Sequence, residues 1–145
     1  MGLDNIPKPL PCKVLEKSGK LKVVRTKDGK IDCDKTNCPF KPLRHYLGLF
    51  AAYCWIRGKA YNKIVEKNTK YSLYNDLTRK ELENILKTLK EVYEFNDKTK
   101  RIVFELTEAD ELRDEDERLL AFHLIEYLET LLSIKEWDGE LIAWY

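Results

Sequence analysis

The chain has 145 residues, 43% apolar and 35% charged, with a formal net charge of +1. That total hides a split: residues 1–75 hold sixteen Lys/Arg against six Asp/Glu, residues 106–145 hold three against twelve, and 76–105 balance at seven each. This length suits one domain with a real core. No apolar run approaches the ~18 residues of a transmembrane helix, and no phosphate-cradling Gly-rich loop, nucleophile elbow or His-Glu zinc helix is present, so the expectation is a non-enzymatic, non-membrane protein.

Residues 1–20, with Pro7, Pro9 and Pro11 followed by spaced lysines, read as an extended basic arm. Leu21 to Cys33 alternate around Asp28-Gly29, a strong short-range hairpin signal. Lys35 to Pro42 reads as a loop, and Pro42 suits the first turn of a helix. From Leu43 to Ile56 the apolar residues run nearly all round a helical wheel, which predicts a buried central helix ending near Gly58. A short helix is expected over Lys59 to Lys67, then a connection to Asn75.

Thr78 followed by Glu81 is a capping box. The helix behind it places Leu82, Ile85, Leu86, Leu89 and Val92 on one face. Tyr93 to Phe95 and Arg101 to Leu106 flank a polar stretch and predict a second hairpin. Thr107 is placed to cap a last long helix with a leucine-rich stripe, stopped at Asp138-Gly139. The apolar tail Leu141 to Tyr145 either folds back on the core or docks on a partner, packing being the expectation.

The fold class expected is mainly α, a small helical bundle or winged-helix-like body with short β-hairpins and an extended N-terminal arm. The division expected is a basic arm with hairpin over 1–41 and a helical domain over 42–145 that contains the acidic segment 108–117. In the winged-helix version Thr78 to Val92 is the recognition helix and Tyr93 to Leu106 the wing. Arg79, Lys80, Lys87 and Lys90 would then face DNA, with Lys98, Lys100 and Arg101 on the wing.

Three sets of residues carry chemistry. Lys20, Lys22, Arg25 and Lys27 on the hairpin, with Arg57, Lys59 and Lys63 further on, form a basic set able to meet phosphates or acidic protein surfaces. Glu108, Asp110, Glu111, Asp114, Glu115, Asp116 and Glu117 put seven carboxylates into ten residues. Such a run solvates a helix entrance, or imitates nucleic-acid phosphates in a basic channel. Alternatively the two halves complement each other within the fold.

Cys12, Cys33, Cys38 and Cys54 are candidates for one or two disulfides, for free thiols, or for zinc with His45 as an alternative fourth ligand. The Cys33-to-Cys38 spacing lies at the wide limit for a zinc pair, so the expectation is no cofactor, with zinc as the alternative. His123, Glu126 and Glu129 recur at helical spacing but lack the facing-helix ligands of a bundle metal site.

Abundant Lys and Glu, no glutamine and a single methionine follow the hyperthermophile trend. Taken with the short helical body, basic arm, unpatterned cysteines and acidic helix entrance, the chain resembles the small family of RNA polymerase inhibitory and virion proteins of a two-tailed hyperthermophilic archaeal virus. The resemblance covers length and these general features and assigns no role to an individual residue. It implies a regulator that binds RNA polymerase in its DNA channel and blocks transcription. The alternatives are a winged-helix regulator on double-stranded DNA and a structural component of the virion. The N-terminus lacks a signal-peptide core, which places the protein in the host cytoplasm or packaged from it into particles.

Overall fold

The computed structural model describes residues 2–43, 49–50, 52–98 and 117–145. The segment expected to be a free arm is the middle of a sheet. Strand β1 (Asp4–Lys8) pairs antiparallel with β3 (Ala52–Arg57) on one side and with β5 (Glu140–Trp144) on the other. With β2 (Leu49–Phe50) and β4 (Leu77–Thr78) the sheet has five strands in the order β2-β3-β1-β5-β4. Pro7 does not forbid this. The pairing with β3 reaches only to Asn5, so Pro7, which has no N–H, lies where β1 has its partner on β5 alone.

Four helices that lie wholly among the described residues accompany the sheet: α1 (Pro11–Lys17), α2 (Gly58–Asn68), α3 (Arg79–Val92) and α4 (Glu117–Leu132). The last three pack on one another, and α2 also touches β1. The molecule is therefore a mixed α/β domain rather than a helical bundle. No helix among the described residues is long and apolar enough to cross a membrane. The strands of one sheet come from both sides of the expected boundary at 41/42.

The largest correction concerns Leu43 to Ile56. Lys41–Leu43 forms one 3-10 turn, and the described residues beyond it form β2 and β3 instead of a helix. In β3 Cys54 and Ile56 are buried while Tyr53 and Trp55 are half-buried, an alternation of period two. A short, aromatic and β-branched apolar run is open to both readings from periodicity alone.

The capped helix forms as expected. Thr78 accepts from the Glu81 N–H, and the Glu81 carboxylate accepts from the Thr78 N–H at 3.0 Å. Leu82, Ile85 and Leu89 are its buried stripe. The segment Tyr93 to Phe95 is no strand; it closes the helix. Phe95 N–H donates to Lys90 O at 3.0 Å, and Glu94 takes a left-handed φ of 51°. Phe95 then lies edge-on to Phe122 of α4, centroids 5.2 Å apart. This is a Schellman-type stop, concealed in the sequence because Glu stands where Gly is expected. Asp97 and Lys98 are helical, and the rest of the supposed wing lies outside the described residues. The winged-helix order is thus not found among them.

The first hairpin is realised as a turn. Gly29 has φ +85°, and a single antiparallel bridge joins Arg25 to Ile31. Helix α4 stops at Leu132, before the expected Asp138-Gly139, and the turns after it bury Ile134 and Trp137. The Thr107 cap lies outside the described residues. The apolar tail does fold back, as β5, although Trp144 and Tyr145 remain exposed.

Two buried asparagines fix the bend between α2 and β4. Asn5 Nδ2 donates to Leu73 O at 2.8 Å, and Asn62 Oδ1 accepts from Leu73 N–H at 2.6 Å. Asn5 in turn needs Gly58, where a Cβ would lie 1.9 Å from Asn5 Oδ1. Gly58→Ala is expected to cost about 1–3 kcal/mol by overpacking. Glu94→Gly is expected to gain about 1 kcal/mol by relieving the left-handed residue. Urea denaturation of the two variants, which should move in opposite directions, checks both.

Candidate functional site

The lysine-rich segment starts at α1 and runs through the turn at Gly29. Lys13, Lys17, Lys22, Lys27 and Lys35 are exposed, and none forms an ion pair with a carboxylate among the described residues. Other cations of this region are engaged. Arg25 makes a two-pronged contact with Glu16 at 2.6 and 2.8 Å, and Lys20 reaches Glu136. Of the remaining candidates, Lys59, Lys63, Lys80 and Lys98 are exposed, and Arg57 is exposed at the end of β3.

Arg79 has a structural task. Its guanidinium donates to the carbonyls of Leu132 at 2.6 Å, Ile134 at 2.9 Å and Trp137 at 2.6 Å, and also reaches Glu83 at 3.2 Å. It thus ties the last carbonyl of α4 to the carbonyls of the turns that follow it. Its guanidinium is therefore engaged within the fold. Lys100 and Arg101 lie outside the described residues.

Of the acidic segment only Glu117 is described. It opens α4 and accepts from Lys67 at 2.7 Å; that hydrogen bond holds its carboxyl below the usual range. Lys20–Glu136 likewise ties the basic half to the acidic half. Self-complementation is therefore real at these two points. Both pairs are exposed and screened, so each is worth little. Glu108, Asp110, Glu111, Asp114, Glu115 and Asp116 lie outside the described residues.

The cysteines come together. Cys12 on α1, Cys33 and Cys38 on the loop, and Cys54 on β3 all line one cavity of about 490 Å³. All four are free thiols, with Cys12, Cys38 and Cys54 buried. Burial pushes the Cys54 thiol far up and lifts Cys38 to about 11; burial, then the nearness of Cys33, raises Cys12. Among the described residues no three His, Cys, Asp or Glu side chains stand as a ready-made metal centre. His45 lies outside the described residues. His123 is buried inside α4, whereas Glu129 reaches out to Lys90 at 3.0 Å, so the helical trio does not converge.

In comparisons with protein families, curated proteins and solved structures, nothing matches this chain.

Cys38 makes stability depend on alkaline pH. Its thiol keeps the proton up to about 11 in the fold against 9.0 ordinarily, so the unfolded chain deprotonates first. Its contribution is complete below pH 9 and is lost as the pH rises through about 11. Denaturation midpoints of the reduced protein should fall across that window, and less steeply in Cys38→Ser. Arg79→Ala is expected to lose about 1.5–3 kcal/mol, the worth of charged hydrogen bonds left unmade, with the change read in the same experiment.

Proposed function

We propose that this protein is a non-enzymatic regulator that binds RNA polymerase and inhibits transcription by occluding the DNA path. The observation that carries the reading is the set of exposed lysines from Lys13 to Lys35 that no carboxylate among the described residues neutralises. Folding leaves that charge available, and a polyanionic surface is its natural partner. The resemblance noted from the sequence directs it to the transcription machinery. The carboxylates from Glu108 to Glu117 supply the opposite charge for a basic channel.

A winged-helix grip on DNA is not supported, because Arg79 is spent on α4 and Tyr93 to Phe95 caps a helix. Lysines alone still neutralise phosphates without reading sequence. Duplex DNA is therefore the control partner.

Binding of the purified protein to archaeal RNA polymerase and to duplex DNA, each across a salt series, tests the proposal. Polymerase binding that weakens with salt, with weak DNA binding, is the expected result. Reversing three charges in Lys22→Glu/Lys27→Glu/Lys35→Glu should weaken it about tenfold, from about 0.5 kcal/mol per screened contact. DNA binding with a steep salt slope and no affinity for polymerase would overturn the polymerase reading, as would binding to neither.

A further inference from the structure

We propose that Cys12, Cys33, Cys38 and Cys54 form a four-thiolate site for a single soft divalent cation, zinc by the chemistry of the ligands. The carrying observation is that every cysteine in the chain lines the same cavity, although they come from α1, the loop and β3. Four thiolates are the complete ligand set of a closed structural zinc site. The proposal is independent of the polymerase reading.

Three further features fit a bound thiolate cluster. The first is local hydrogen bonding: Phe40 N–H, two residues beyond Cys38, points at Cys38 Sγ at 3.5 Å. Lys41 N–H, the next along, donates to the Cys38 carbonyl at 3.0 Å and fixes the turn that carries that sulfur. An N–H donor such as that of Phe40 stabilises ligating sulfur and orients it. The second is charge. Four thiolates on a divalent ion leave a net of −2, and Lys13, Arg25 and Lys30 line the same cavity. The third is the architecture of the loop. Between Ser18 and Phe40 the regular backbone pairing consists of one bridge and a few turns, yet Thr36 and Phe40 are buried. Long ordered segments without secondary structure usually carry a function or a cross-link, and a metal is a cross-link.

The sulfurs surround the cavity rather than meeting in it. Binding therefore closes the site by drawing the segment from Cys33 to Cys38 toward Cys12 and Cys54. Asp32 Oδ1 accepts from the N–H groups of Asp34 at 3.1 Å and Lys35 at 3.2 Å, which holds the turn that carries Cys33 together. Four thiols lose four protons to solvent, four sulfur–metal bonds form, and no electron is transferred. Uptake therefore tightens as pH rises. Disulfide formation is the competing fate of the same thiols and needs an external oxidant.

The test uses the full chain, reduced and metal-free, titrated with Co²⁺ and then Zn²⁺. The expected result is one Co²⁺ per chain with the intense ligand-field bands of a tetrahedral thiolate site. Zn²⁺ should displace it, and all four thiols should then resist alkylation. Cys33→Ser, at the half-buried position, should keep the circular dichroism of the fold. It should also lose at least about 100-fold in Zn²⁺ affinity, no less than loss of an outer partner can cost. A folded chain with four reduced, alkylatable thiols and no thiolate–Co²⁺ spectrum would overturn the proposal. So would non-reducing mass mapping that finds these cysteines paired in the protein as purified from cells.

Discussion

The pairing of β1 with β5 is the constraint on which the rest of the structure depends. It is the longest strand contact, running from Asp4 opposite Trp144 to Lys8 opposite Glu140, and it joins the two ends of the chain. Every other strand is placed by it. Strand β3 lies on the free side of β1, and β4 lies on the free side of β5. Helix α2 starts at the end of β3, with Gly58 N–H donating to Leu3 O at 2.7 Å beside β1. A sheet centred on both termini has a high contact order, because its middle forms only when the whole chain has closed on itself.

The same closure explains how polar groups are distributed in the interior. Trp137 is fully buried and donates its indole N–H to Pro9 O at 2.8 Å, which locks the turn after α4 to the end of β1. The Tyr127 hydroxyl donates to Cys54 O and ties α4 to β3. Asn5 and Asn62 hold the bend at Leu73 from two sides. Each of these groups would be costly to bury alone. Each bonds a backbone atom of another element or of the bend, although Asn5 Oδ1 is left buried without a partner, so the polar interior specifies one arrangement of the elements rather than adding bulk stability.

These long-range partners also separate what was legible in the sequence from what was not. Helix α3 was legible because its signals are local: a capping box and a repeating apolar stripe. The turn at Gly29 was legible for the same reason. Strand β1 was not. Three prolines and spaced lysines look like an arm, and only the C-terminal tail, more than 130 residues away, makes a strand of them. The run at Tyr53 to Ile56 was apolar enough for either a helix or a strand, and its sheet neighbours decided the matter. At Glu94 the chain adopts a glycine conformation without a glycine, which no compositional rule signals. Among the candidate residues, the four cysteines could be proposed as a set but not placed together. Arg79 looked like a surface cation because the carbonyls it serves lie more than 50 residues on.

The charge split takes on a sharper meaning beside this closure. Had the basic and acidic halves existed to complement each other, the sheet that joins the termini would have offered ample opportunity to pair them. The described residues show two exposed ties between the halves, at Glu117 and Glu136, while of the cations lining the cysteine cavity Arg25 is paired with Glu16, Lys30 with Asp28, and Lys13 with no carboxylate among the described residues. Isolated exposed pairs of this kind add little to stability. At these two points the two halves meet on the surface and not in the core. A dense set of cations beside a thiol-lined cavity lowers the cost of accumulating negative charge there, whether it arrives as a partner's anionic groups or as thiolates. Two of the four thiols stand on regular elements, Cys12 on α1 and Cys54 on β3, and the other two on the irregular segment from Ser18 to Phe40.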